Sequence, residues 1–129
     1  MWRLLQYRLR LLIPFILLIL VNSSSAASHL YKEREYQQVW CSQHNGIIEY
    51  RLDDGSRVDC LTEEYAIEFD FASKWAEAVG QSLYYAIKTG KKAGIVLIVE
   101  RSKDWRHVQK LITLSQTLPI HFWIIEPSF

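Results

Sequence analysis

Three carboxylates stand where a buried strand would not ordinarily carry them: Asp59 in RVDC, and Glu68 and Asp70 in AIEFDF. Strand side chains alternate between faces, so Glu68 and Asp70 point the same way. If a hairpin turn centres between Glu63 and Glu64, Thr62 faces Tyr65, Leu61 faces Ala66 and Asp59 faces Glu68. Residues directly opposite share a face of the sheet, and like charges there repel one another. The chemistry open to such a set is to hold a divalent cation, because Mg2+ takes a few carboxylates and completes its shell with waters and phosphate oxygens. The opposite face reads Val58, Cys60, Ile67, Phe69 and Phe71, all core-like. An ordinary amphipathic hairpin with its acids in water is the competing account. Ala66 and Ala72 on the acid face count against it, since exposed strand faces are commonly bulkier and more mixed.

The elements that must position these acids follow from periodicity. Residues 30–44 read as a helix, with Tyr36, Val39, Trp40 and Gln43 at i, i+3, i+4 and i+7. Asn45-Gly46 ends it, with Gly suited to the left-handed position. Residues 47–52, 57–62 and 65–72 read as three strands of an antiparallel meander, with Asp53-Asp54-Gly55-Ser56 as a turn. Ser73 is an N-cap candidate for a helix over 74–88, whose core stripe is Trp75, Val79, Ser82, Leu83 and Ala86. Lys74, Gln81, Tyr85 and Lys88 form a polar row about 100° round from that stripe. Such a row either leans over the carboxylates or merely covers the core margin.

The run AGIVLIVE at 93–100 suits a strand buried on both faces, hence central in the sheet. A helix over 103–117, with Trp105, Val108, Leu111, Ile112 and Ser115 on one stripe, and a strand over 120–125 complete the chain. The order α, β, β, β, α, β, α, β predicts an α/β fold. Its mixed central sheet joins an antiparallel meander to a βαβ unit of right-handed crossover, flanked by helices on both faces. Trp40, Trp75, Trp105 and Trp123 fall on core stripes or strands, where packing explains them better than base stacking. His29, His44, His107 and His121 show no metal-ligand spacing and read as surface or edge residues.

Taken together, the segments ERE at 33–35, RVDC at 57–60, IEFD at 67–70 and WAEAVGQSLYYA at 75–86 resemble the PD-(D/E)XK nuclease superfamily, of restriction-endonuclease-like fold. The resemblance runs from about Glu33 to Glu100. It implies that Asp59 and Glu68 bind Mg2+ (or Mn2+), that Gln81 and Tyr85 form the Gln-x-x-x-Tyr element of the second helix, and that Glu33 is the first-helix acid. Asp70 stands where that family has a lysine that helps activate water. Either Asp70 is a third metal ligand, or Lys74 supplies the positive charge, or the site no longer cuts. The implied activity is metal-dependent hydrolysis of phosphodiester bonds in nucleic acid, DNA ahead of RNA. The alternative is a non-catalytic exported binding module that keeps the fold.

Charge and leader bound these readings. The 129 residues suffice for one domain. Residues 1–27 carry Arg3, Arg8 and Arg10, then a largely apolar stretch over 11–21, then NSSSAAS, the order of a secretory signal peptide. The competing account is a membrane anchor formed by residues 11–21, although a spanning helix needs about 20 apolar residues. Cleavage would leave a domain over 28–129 with no stable membrane span, periplasmic or secreted. Three of the 15 basic residues lie in the leader, so 12 remain against all 14 acids. That balance excludes a protein that grips nucleic acid by overall charge. Cys41 and Cys60 form either a disulfide, as export would favour, or two buried thiols.

Overall fold

The computed structural model describes residues 28–127. The signal-peptide and anchor readings lie outside the described residues. Helix α1 (Glu33–Gln43) leads into strands β1 (Ile47–Arg51), β2 (Arg57–Leu61) and β3 (Tyr65–Phe71). A 3-10 turn (Ala72–Lys74) opens α2 (Trp75–Thr89), followed by β4 (Lys92–Ile98), a second 3-10 turn (Ser102–Asp104), α3 (Trp105–Ser115) and β5 (Ile120–Ile125). One sheet has the order β1-β2-β3-β4-β5. The first three strands pair antiparallel and the last three parallel. This is the mixed sheet that the element order predicts, and β4 is buried along nearly its whole length.

The two faces are covered unequally. Ala93, Ile95 and Leu97 pack with Ala78 of α2 and with Val108 and Leu111 of α3. On the other face Ile67, Phe69 and Val96 pack beneath Trp40 and Cys41 of α1. A disulfide joins Cys41 to Cys60, tying α1 to β2, and both residues are fully buried.

Several local expectations are corrected. The first helix starts at Glu33 rather than residue 30, and its buried stripe is Tyr36, Gln37, Trp40 and Cys41, leaving Val39 exposed. The left-handed residue after α1 is Asn45, with φ 53°. Gly46 is needed for a different reason: a methyl there would overlap both sulfurs of the disulfide. Ser73 does not cap α2; the 3-10 turn occupies that position and Lys74 stands at the N-cap. The buried row of α2 is Ala78, Ser82 and Tyr85, rotated toward the polar row from the predicted stripe. Trp105 is exposed at the start of α3 rather than on its core stripe.

The β2–β3 hairpin has the predicted register, Cys60↔Ile67 and Leu61↔Ala66. The ladder ends there. Asp59 and Glu68 therefore do not pair through their backbones. Instead the Asp59 carboxylate accepts a hydrogen bond from the Phe69 amide at 2.8 Å, taking the place of a backbone carbonyl. Beyond this point strand alternation breaks. Val58, expected beside Cys60, packs instead with Leu61, Ala66 and Tyr85 on the α2 face.

Candidate metal centre

Every residue that the sequence singles out for the site lines one cavity of about 420 Å³: Glu33, Asp59, Glu68, Asp70, Lys74, Gln81 and Tyr85. They come from four elements. Helix α1 brings Glu33 at its first position, β2 brings Asp59, β3 brings Glu68 and Asp70, and α2 with its leading turn brings Lys74, Gln81 and Tyr85. Of the two first-helix acids, Glu33 lines the cavity and Glu35 does not. Glu35 turns back to accept the Lys32 amide at 2.7 Å, closing the helix start. Lys88, the fourth member of the polar row, lines a different cavity beside Tyr50 and Leu61. The lysines that follow α2 also lie outside this cavity: Lys91 donates to the Glu63 carbonyl and Lys92 pairs with the Glu64 carboxylate, both at 2.6 Å.

The acids are not the wet face of an amphipathic hairpin. Glu68 is 6% exposed and Asp70 3%. Asp70 Oδ1 accepts the Phe71 amide at 3.0 Å and lies 4.0 Å from the Lys74 ammonium. Glu68 Oε2 is buried with no hydrogen-bond partner. A buried polar atom left unpaired is costly, and a bound cation, a water or a proton shared with the adjacent Asp59 carboxyl would each satisfy it.

Electrostatics agree with that geometry. Burial pushes the Glu68 carboxyl well above the carboxylate range, and the neighbouring charges of Asp59 and Asp70 push it further. Asp59 is also raised, by burial first; the Phe69 amide opposes this, and Glu33 and Glu49 add to it. Asp70 is pushed up to about 7 by burial and by Glu33, against a lowering pull from Lys74. Glu33 is raised by burial, with Lys74 again opposing. The Tyr85 phenol is raised by burial and by the charges of Glu68 and Asp59, while Gln81 draws it down. Gln81 therefore acts on Tyr85, which in turn feels the charges of Glu68 and Asp59.

Four further residues belong to this region and were not singled out from the sequence. Gln37, 2% exposed, donates to the Asp59 carbonyl at 2.7 Å and to Glu49 at 3.3 Å. Its place four residues after Glu33 puts both on one helix face, which is a signal that spacing alone carries. Glu49, Arg57 and Glu77 also line the cavity. Glu49 has φ 56°, a left-handed backbone inside a strand, which no residue pattern announces.

Among the described residues, no group of three or more His, Cys, Asp or Glu side chains is gathered closely enough to cage a metal ion as it stands. Mg2+ does not require a complete protein cage, since it keeps several waters and commonly takes only one or two carboxylates. The buried, unpaired oxygen of Glu68 and an all-oxygen donor set fit a hard divalent cation.

No helix among the described residues is long and apolar enough to cross a membrane. No family model matches the chain. No solved structure matches it. Over 73 residues the chain is 29% identical to a KilA-N domain-containing protein of Acanthamoeba polyphaga mimivirus. That match covers 57% of this chain and 20% of the viral protein, so it spans about a fifth of the viral protein's length.

Proposed function

We propose that this protein is an exported, metal-dependent phosphodiesterase of restriction-endonuclease-like fold, acting on nucleic acid. The observation that carries the reading is Glu68, a buried carboxylate with an unpaired oxygen beside Asp59, in a cavity shared with Asp70, Glu33, Gln81 and Tyr85. Asp59 and Glu68 would hold Mg2+ or Mn2+, with waters completing the shell, and the ion when bound would polarise a phosphate and lower the pKa of a bound water. Glu33, raised by burial, is a group that can accept a proton in this cavity. Lys74 brings the positive charge that the Asp70 position lacks. Tyr85, with Gln81 beside its phenol, lines the same cavity as Asp59 and Glu68. The fully buried Cys41–Cys60 disulfide supports export, because such bonds form and persist in oxidising compartments.

The test is nicking of plasmid or single-stranded DNA with Mg2+ or Mn2+. Wild type is expected to cut, with Asp59→Ala and Glu68→Gln each losing roughly 100-fold or more. Absence of cutting with either ion sinks the catalytic reading. Asp70 in place of a lysine favours one second reading, a binding module that retains the fold. Calorimetry separates the two. A divalent site lost in Glu68→Gln supports the metal centre, whereas no metal binding at all leaves the binding module.

A further inference from the structure

Strand β1 is interrupted at one residue. Ile48 pairs with Cys60 and Tyr50 with Val58, but Glu49 between them has φ 56°. A residue with a Cβ is sterically disfavoured there, so its persistence inside a strand needs a cause. The surroundings over-determine it. Gln37 holds Glu49 Oε1 at 3.3 Å while donating to the Asp59 carbonyl at 2.7 Å, and the Arg57 guanidinium holds Glu49 Oε2 at 3.1 Å. The bend thus brings a carboxylate into a cavity that already holds Asp59, Glu68 and Asp70. A further acid makes little sense for binding an anionic substrate unless what it holds is the useful group.

What it holds is Arg57. Arg57 and Lys74 are the two cationic side chains lining this cavity, and each is 58% exposed. Each is moored to a carboxylate, Arg57 to Glu49 and Lys74 to Asp70. A guanidinium has five N–H donors in a fixed fork. The ion pair with Glu49 is made through Nη1, so donors remain to take a phosphate in the bidentate manner Arg favours.

We infer that Arg57 is a phosphate anchor of the acid cavity and that Glu49, through its left-handed backbone, is the residue that positions it. The inference rests on the phosphodiesterase reading and names its substrate more closely. Cations moored separately, one before Asp59 on β2 and one at the head of α2, suit a chain with successive phosphates, an oligonucleotide rather than a phosphomonoester.

The experiment is equilibrium binding of a short fluorescein-labelled single-stranded DNA to the intact protein with Ca2+, across a salt series, beside steady-state cleavage with Mn2+. Arg57→Ala is expected to weaken binding about tenfold and to reduce the slope of log affinity against log salt by about one. Its KM should rise while kcat stays near wild type, and Arg57→Lys should restore part of the affinity. Inorganic phosphate and a mononucleotide should compete only weakly. Glu49→Gly relieves the backbone, so its Tm should hold or rise while DNA affinity falls as in Arg57→Ala. A purely structural Glu49 would leave affinity unchanged, and that result overturns the positioning role. Wild-type affinity and slope in Arg57→Ala, or no DNA binding by wild type at low salt, overturn the anchor. DNA binding without cleavage keeps the anchor and removes the phosphodiesterase. Cleavage with an unchanged KM in Arg57→Ala does the reverse.

Discussion

Glu68 concentrates the chemistry of this protein in one side chain. It is buried, its Oε2 is unpaired, and Asp59 and Asp70 crowd it with like charge. Replacing its acid by an amide removes that repulsion. Glu68→Gln is therefore expected to raise the Tm of the metal-free protein by a few degrees, for about 1 kcal/mol of relieved cost, while abolishing cleavage. Thermal denaturation of the variant without metal checks this, and a fall in Tm would mean that the carboxylate is already well solvated. The same acids set a pH dependence. Asp70 titrates near 7 when folded, above its ordinary 3.8, and Asp59 and Glu68 are also raised. Between those values the folded state binds more protons than the unfolded chain. The stability they contribute is thus full below about pH 4 and is lost as pH rises through about 7. A metal-free Tm series from pH 4 to 8 should show this fall. Added Mn2+ should raise Tm more at pH 8 than at pH 5, because metal and protons compete for the same oxygens.

At the scale of elements, the cavity depends on α1 and α2 keeping station over the β2–β3 hairpin. Helix α1 is held by the Cys41–Cys60 bridge, which closes a sequence separation of 19 and ends one residue from Asp59. Replacing both cysteines by alanine is expected to cost about 3 kcal/mol, read from denaturant unfolding. Gly46→Ala should cost stability in the disulfide-bonded protein and much less in the double variant, since the obstacle to its methyl is the two sulfurs. An equal cost in both backgrounds would place the strain elsewhere. Helix α2 contributes through the rotation of its buried face. Tyr85 is buried at 7% exposure among Leu52, Val58, Leu61 and Ala66, so its hydroxyl is carried to the acids by an apolar ring seated in a core. Val58 joins that seat where the strand loses its alternation, at Asp59, which accepts the Phe69 amide through Oδ2 alone.

Across the whole molecule, the first described residues are fastened to the far end of β4. Glu100 accepts from the Tyr36 hydroxyl and His29 Nδ1 at 2.8 Å and from the Leu30 amide at 3.0 Å, and Arg101 donates to the Ser28 carbonyl at 2.6 Å. Burial pushes the Glu100 carboxyl up, but these donors outweigh it and leave it lowered. Glu100→Ala strands several donors at once, so a loss of about 2–3 kcal/mol is expected, together with proteolytic cutting before α1. Limited proteolysis and unfolding of that variant check both, and a segment as resistant as wild type would show that other contacts hold it. The leader reading itself predicts that protein recovered from an exporting host starts at or near residue 28, which its mass would check.

The sequence by itself determined the element order, the meander, the interior rather than edge position of β4 and the hairpin register. Each follows from local periodicity and turn chemistry, which read the same in one dimension as in three. It also grouped Asp59, Glu68, Asp70, Gln81 and Tyr85 by hairpin and helix spacing; these residues line one cavity, although the ladder ends before Asp59 can pair with Glu68. Tertiary structure alone decided that the acids are buried rather than wet, since burial depends on where α2 lies. It alone decided that Lys88 turns away, that Glu49 and Arg57 join the cavity, and that Cys41 reaches Cys60. These depend on a strand bent at one left-handed residue and on how a helix sits across a sheet, both of which are properties of packing.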